Sequence, residues 1–289
     1  FISMDLNLNN ITFIIVTYKS YKVIYNCIDS LPKNSNKIII ENSKDINLKK
    51  DLESKYDNIE VILNENVGMG ASNNVGIIKS KTKYAFIINP DVIFKIDTFE
   101  KLIQSAKTIN DFAILSPIHS DSNYPNYKNK LNSDPDNNNI FEVDSVDGFS
   151  MLLNKEKFLN ENFFDENFFL YLENDDLCLR TKKKNEKIYI INNSLIDHIG
   201  ASSSNINQNK ELEYLRNWHW MWSKFYFNKK HKGYLNAFFQ TLLNLVSAKI
   251  KFIYYLLTFN LHKRKIYQMR ISGLINSMLL KKSFYRLKD

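Results

Sequence analysis

Over the first hundred residues, short unbroken apolar runs alternate with amphipathic segments. Ile11-Thr-Phe-Ile-Ile-Val16 lacks polar alternation and is too short for a stable helix, the pattern of a strand buried on both faces. Residues 38–40, 61–63 and 85–88 repeat it. Helical spacing fills the intervals at about 20–31 (closed by Pro32), 46–56 and 70–80. Strands alternating with helices of this length predict a mostly parallel sheet with helices on both faces. Ligands of such sheets bind beyond the carboxyl ends of the strands. The residues there are Thr17-Tyr18-Lys19, Glu41-Asn42-Ser43, Asn64-Glu65-Asn66 and Asn89-Pro90-Asp91. All four segments are polar, and they are expected to converge on one crevice.

Periodicity is lost over residues 119–142, which are rich in Asn, Asp, Ser and Pro. This predicts a long irregular loop, either a functional lid or a plain surface insertion. Apolar order resumes from Val143 to Leu153. Phe168-Phe-Leu-Tyr-Leu then runs straight into Glu173-Asn174-Asp175-Asp176, the start of a helix reaching Arg180. Another strand ends at residues 194–196, before Asp197-His198. Residues 235–259 are largely apolar, with Gln240, Asn244, Ser247 and Lys251 along one stripe, as in an amphipathic helix.

Composition sharpens the picture. The 289 residues are 44% hydrophobic and 13% aromatic, enough for one large domain or two smaller ones and incompatible with a wholly disordered chain. Two cysteines, Cys27 and Cys178, exclude a disulfide framework and a cysteine zinc site, and fit a reducing cytosol. A mean hydropathy of −0.34 argues against a polytopic membrane protein. Phe1 is not an initiator, so the first domain is expected to start at Met4, with nothing resembling a signal peptide before it. The net charge of +8 is unevenly spread: residues 206–289 carry 16 Lys/Arg against 3 Asp/Glu, and residues 1–205 are net −5. The expected division is a domain over 4–205 and a basic, aromatic helical region over 206–289. Trp218-His-Trp-Met-Trp222, with Tyr226 and Lys229-Lys-His-Lys232, pairs aromatics with bases as membrane-interface anchors do. The other reading of this region is a packed helical subdomain. Nucleic acid is not an expected partner, because the aromatics lie among apolar neighbours.

Each candidate for chemistry has two readings. Asp91 either coordinates a hard divalent cation on a diphosphate or closes the strand in an Asx-turn. Gly68 and Gly70 open a helix after the third strand, where backbone can approach an anion. They are no dinucleotide fingerprint, since that belongs to the first strand–helix turn, here Thr17-Tyr-Lys-Ser20 without glycine. Glu173 stands at an apolar–polar boundary suited to a general base. Asp176 is explained as well by an i, i+4 pair with Arg180. His198 is either a core histidine or a metal ligand drawn from far along the chain.

Taken in order, these segments resemble the inverting family 2 glycosyltransferases of the GT-A fold, in their rhamnosyltransferase-like branch. The resemblance runs over about residues 11–231, through Ile14-Ile-Val-Thr-Tyr18, Ile40-Glu-Asn-Ser43, Asn64-Glu-Asn-Val-Gly68, Ile88-Asn-Pro-Asp-Val92, Val146-Asp-Gly-Phe-Ser-Met-Leu152, the acidic run to Arg180 and Asp197-His-Ile-Gly200. It implies that Thr17, Tyr18, Glu41, Gly68, Asn73 and Asn89 bind the donor nucleotide. It further implies that Asp91 and His198 hold Mn²⁺ or Mg²⁺, and that the acidic run carries the catalytic base. Three positions depart from the family pattern: Glu41 stands for Asp, Asn89 for the first Asp of Asp-x-Asp, and Asn174 for the Asp of Glu-Asp. An amide cannot accept the proton, so the base falls to Glu173, then Asp176, then Asp175.

The expected protein is a metal-dependent glycosyltransferase moving a sugar, with rhamnose the candidate, from a nucleoside-diphosphate donor. Its acceptor would be a lipid-linked or cell-surface saccharide, and its place the anionic inner face of the plasma membrane. Two alternatives stand beside it. One is a nucleotidyltransferase, disfavoured by the missing glycine-rich first loop, and the other a degenerate, non-catalytic nucleotide- or glycan-binding protein.

Overall fold

A computed structural model describes residues 6–109, 111–129, 139–159, 162–200 and 206–287. The expected start at Met4 and the boundary at residue 205 lie outside them. Two compact units form, one from residues 1–165 and 174–203, the other from 166–173 and 204–289.

The first unit is built on a mixed sheet. Its strands are β1 (Ile11–Thr17), β2 (Asn36–Glu41), β3 (Ile59–Leu63), β4 (Tyr84–Ile88), β5 (Val92–Phe94), β6 (Ile114–His119), β7 (Tyr127–Lys128), β8 (Ile140–Glu142), β9 (Ser145–Val146), β10 (Ser150–Asn154) and β11 (Ile188–His198). Its helices are α1 (Ile24–Ser30), α2 (Ile46–Lys55), α3 (Met69–Lys79), α4 (Thr98–Ala106) and α5 (Glu173–Lys183). Spatial order is β3-β2-β1-β4-β10-β6-β11-β5, with β8 added on β11. The four strands read as repeated strand–helix units, β3-β2-β1-β4, are parallel throughout. Beyond it the sheet is mixed, because β10 runs antiparallel between β4 and β6. Every residue of β1, β4 and β10 is buried, which is why these strands read as unbroken apolar runs.

Two local features set the strand ends. Gly76 lets α3 lie hard against β1: a Cβ there would stand 2.5 Å from Ile14 Cγ2. Helix α1 begins later than its periodicity suggests, because Lys19 turns left-handed (φ 53°) and the chain makes a turn before entering the helix. The stretch 119–142 is less irregular than expected among its described residues. β7 pairs β9 and β8 pairs β11, strands too short to leave a periodic signal. Buried Asn126 ties down the chain between β6 and β7, donating to Pro117 O at 2.9 Å and accepting from His119 N at 2.9 Å.

The second unit comprises α6 (Ile206–Lys232), α7 (Tyr234–Leu257), α8 (Leu261–Met278) and the segment 166–173. Its interior corrects the expectation that the tryptophan run anchors at an interface. Trp218 and Trp222 are 1% and 3% exposed, packed with Tyr214 and Met269. Their indole N–H groups donate to Ser272 Oγ (3.1 Å) and Lys281 O (3.0 Å). Spacing of three to four residues brings both onto the inward face of α6, whereas Trp220 points out at 38% exposure. Gly273 permits the α6–α8 contact, since a Cβ there would stand 2.2 Å from Trp218 O. On α7 the inward positions are small, Ala237, Thr241 and Ala248, and the large apolar side chains face out. Leu235, Phe239 and Leu243 are 71%, 67% and 79% exposed, and Val246, Ile250, Ile253 and Leu257 continue the stripe.

His219 is buried in this unit, its ring nitrogens against Tyr285 O (2.8 Å) and Ser283 Oγ (3.0 Å). Burial pushes its pKa down from 6.5 to about 4. The unfolded chain therefore binds the extra proton between those values, and stability rises with pH across that window. Acidifying from pH 6.5 to 4 is expected to cost on the order of 3 kcal/mol through this group. His219→Gln should flatten that part of the stability–pH curve in urea unfolding, and an unchanged slope would contradict the assignment.

Candidate active site

Parallel register brings the first polar segments to one level. Thr17 pairs with Glu41, and Glu41 with Leu63. The ladder extends one step further through Asn42 N to Thr17 O (2.8 Å) and Asn64 N to Glu41 O (2.9 Å). Glu41 is fully buried, and its carboxylate accepts from the Ser43 hydroxyl, from Ser43 N (3.1 Å) and from Asp45 N (2.6 Å). It therefore shapes the turn after β2, where Lys44 is left-handed at φ 56°. Behind it Asn42, Ser72 and Asn64 form a closed network: Asn42 Nδ2 donates to Ser72 Oγ (2.9 Å), and Asn64 Nδ2 to Asn42 Oδ1 (3.1 Å). Sequence reasoning did not single out this network; its signal was three short polar side chains at consecutive strand ends and the first turns of a helix.

Helix α3 starts on Gly68 at φ 105°, a conformation glycine adopts without cost, and has no side-chain cap. Asn74 is spent on structure, exchanging two 2.9 Å bonds with the Phe164 backbone. Its neighbour Asn73 differs. Asn73 Oδ1 and Thr17 Oγ1 are buried with no hydrogen-bond partner among the described residues, as is Ser150 Oγ at the start of β10. Such orphans are rare in folded proteins and call for an explanation.

The two expected metal ligands, 107 residues apart in sequence, meet. β5 pairs antiparallel with the end of β11, setting His198 opposite Val92, and Ile199 N donates to Asp91 O at 3.1 Å. This leaves Asp91 Oδ1 3.3 Å from His198 Nε2, both side chains half-buried. Phe149 stacks on the His198 ring at 4.2 Å and fixes its plane. Asn89 N donates to Phe149 O at 2.9 Å, so the turn after β4 is bound to the same group. A carboxylate oxygen beside an imidazole nitrogen is a donor set that suits Mn²⁺ and is incomplete without further oxygens. Among the described residues no cluster of three or more metal-ligating side chains occurs.

The acidic run separates into distinct roles. Asp176 is fully buried and paired with Arg180 Nε at 2.9 Å, and the guanidinium also donates to Asn162 O and Phe163 O. Asp175 is held by Lys128 Nζ at 2.6 Å. Asn174 Nδ2 donates to Val146 O at 3.0 Å. Glu173, the first residue of α5, is half-buried. Tyr171 and Leu172, immediately before it, are both left-handed at φ 71° and 67°, backbone strain of the kind found at functional sites. Asp147, not among the sequence candidates, lies in the turn between β9 and β10. Burial raises its pKa and Asp175 raises it further, while Lys128 and His198 oppose.

Architecture and strand-end chemistry together define a GT-A glycosyltransferase fold with an added helical region. PcManGT, a mannosyltransferase from Pyrobaculum calidifontis solved with GDP-Man and Mn²⁺, superposes with a TM-score of 0.55 over 94% of this chain and 88% of its own, at 10% identity. GalNAc-T7, solved with UDP, GalNAc and Mn²⁺, gives 0.53 over 74% of this chain and 52% of its own, at 13% identity. The chain belongs to glycosyl transferase family 2, whose family model matches residues 12–180. It is similar to rhamnosyltransferase WbbL of Escherichia coli K12, 27% identical over 54% of this chain and 69% of the relative. It also resembles the low-salt glycan biosynthesis hexosyltransferase Agl10 of Haloferax volcanii, 24% identical over 63% and 64%.

Asp176 offers a test of the division of roles. Removing one partner of a buried ion pair leaves the other charge uncompensated, at a cost of about 3–5 kcal/mol. Asp176→Ala is expected to lose that much stability in chemical denaturation. A variant as stable as the parent would reopen Asp176 as a catalytic carboxylate.

Proposed function

We propose that the chain is an inverting glycosyltransferase that moves a sugar, rhamnose being the candidate, from a nucleoside-diphosphate donor to a lipid-linked saccharide. The observation that carries this reading is the meeting of Asp91 and His198 beside strand ends whose buried polar atoms lack partners. Family membership supports transfer chemistry, and the likeness to a rhamnosyltransferase supports the sugar. The two solved neighbours, determined with a nucleotide or nucleotide sugar and Mn²⁺, support the donor class and the metal.

Thr17, Tyr18 and Asn73 would take the nucleoside, with buried Glu41 shaping the turn after β2 beside them, and Asn89 with the backbone at Gly68 the diphosphate. Thr17 Oγ1 and Asn73 Oδ1 would then gain the partners they lack. Asp91 and His198 would hold the cation, with diphosphate oxygens completing the donor set. When bound, a divalent cation there neutralises charge on the departing nucleoside diphosphate. Phe149 keeps the His198 ring edge towards Asp91. The amides opening α3 add positive dipole at the same edge. A single displacement inverts the anomeric centre, and the acceptor hydroxyl gives its proton to a carboxylate. Asn174 favours a second reading, a nucleotide- or glycan-binding protein without turnover.

A panel of dTDP, UDP, GDP, CDP and NAD with and without Mn²⁺ tests the donor site. One nucleoside diphosphate at a hundred times its dissociation constant should add roughly 2.7 kcal/mol of stability. The gain should grow with Mn²⁺ and vanish in Asp91→Ala. Stabilisation by NAD alone, or by none of them, would contradict the reading.

The partner surface proposed is an anionic leaflet at the inner face of the plasma membrane. No helix among the described residues is long and apolar enough to cross a membrane. Helix α7 instead exposes its large apolar side chains, with Lys249 and Lys251 exposed beside them and a net +13 over residues 206–289. Such a helix lies in the interface plane, its stripe in the acyl boundary and its cations at the headgroups. Phe239→Glu with Leu243→Glu should abolish binding to phosphatidylglycerol vesicles while leaving the fold intact. Equal vesicle binding by this double variant and the parent would sink the membrane role of α7.

A further inference from the structure

Asn174 removes a carboxylate from the acidic run, and a different carboxylate of the same unit is available. Among the described residues, Glu41 is occupied by the Ser43–Asp45 turn, Asp91 faces His198, Asp175 is bound to Lys128 and Asp176 to Arg180. Asp147 differs. Its backbone N–H donates to Asn126 O at 2.9 Å, but its half-buried carboxylate receives no hydrogen bond from the described residues.

The turn that carries Asp147 is held from both sides. Downstream, Phe149 stacks on His198 and accepts from Asn89 N, which ties the turn to the Asp91–His198 pair. Upstream, Val146 O accepts from the Asn174 amide at 3.0 Å. Gly148 closes the gap, since a Cβ there would stand 3.1 Å from Asn174 Cβ. The amide at 174 thus fixes the loop that carries this carboxylate, and the titratable neighbours of that carboxylate are Lys128, Asp175 and His198.

Resting on the glycosyltransferase reading, we propose that Asp147 is the proton acceptor of the transfer and Asn174 its positioning residue. In the step, the acceptor hydroxyl oxygen bonds to the anomeric carbon of the donor. The bond from that carbon to the phosphate oxygen breaks, its electron pair leaving with the nucleoside diphosphate. The hydroxyl proton passes to the Asp147 carboxylate. This competes directly with the family-derived expectation of Glu173.

The test compares the parent chain with Asp147→Asn, Asp147→Glu and Glu173→Gln. Nucleoside diphosphate release is measured from dTDP-, UDP- and GDP-sugars with Mn²⁺. The acceptors are a polyprenyl-diphosphate-linked sugar and, in parallel, water. Loss of a general base costs about 10²–10⁴ in rate, so Asp147→Asn should lose at least a hundredfold in kcat. Its thermal stabilisation by nucleoside diphosphate should stay unchanged, and Asp147→Glu should recover part of the rate. Parental turnover by Asp147→Asn overturns the proposal, as does a hundredfold loss confined to Glu173→Gln. Loss of nucleotide stabilisation together with turnover marks a structural role and overturns it too. A parent chain that turns over none of the donors defeats the glycosyltransferase reading itself, and this inference with it.

Discussion

The antiparallel pairing of β5 with the last residues of β11 is the constraint on which the site depends. β5 follows β4 after a three-residue turn, and β11 arrives about a hundred residues later beside β6. Pairing Val92 with His198 puts the imidazole within 3.3 Å of Asp91, and Phe149 then locks the ring. Because β10 lies beside β4 in the same sheet, the turn before it meets Asn89 N through Phe149 O, and Phe149 stacks on His198. Close packing on both faces sets the register of the buried strands, since a one-residue shift would exchange the side chains of the two faces and their fit to the helices. The chemistry is therefore held by the core rather than by the loops that display it.

The four parallel strands were legible because β1, β2 and β4 are buried almost throughout and are flanked by helices with clear spacing. Residues 38–40 and 85–88 could be read as strands for that reason, and so could the polar segments that follow them. Of the mixed part, only β10 and the end of β11 were legible, in the apolar order over 143–153 and the strand end at 194–196. β7, β8 and β9 are two or three residues long, and their pairing depends on contacts such as Asn126 to Pro117 that no local pattern encodes. The residues alone offer Asp91 and His198 as a pair of metal ligands but favour an Asx-turn and a structural histidine; the family resemblance is what raises the metal reading.

Two misreadings share a cause. The Trp218–Trp222 run was read by composition, as aromatics near bases, when its spacing places two of the three indoles inside a helical unit. Asp147 passed unnoticed because a lone aspartate in a turn before a glycine looks like ordinary turn chemistry. Only the hydrogen-bond accounting of the folded chain, in which its neighbours are taken and it is not, separates it from Asp175 and Asp176. Residue type shows what a side chain can do, and the partners it already has decide what remains for it to do.

The central claim is that Asp91 and His198 form the cation side of a nucleotide-sugar site at these strand ends. Anomalous diffraction at the manganese edge, from crystals grown with Mn²⁺ and the nucleoside diphosphate that stabilises the chain, tests it most directly. The account requires one manganese peak in coordination contact with the Asp91 carboxylate and His198 Nε2, with the nucleoside beside Thr17 and Asn73. Manganese bound elsewhere, or a nucleotide seated away from these strand ends, would contradict it.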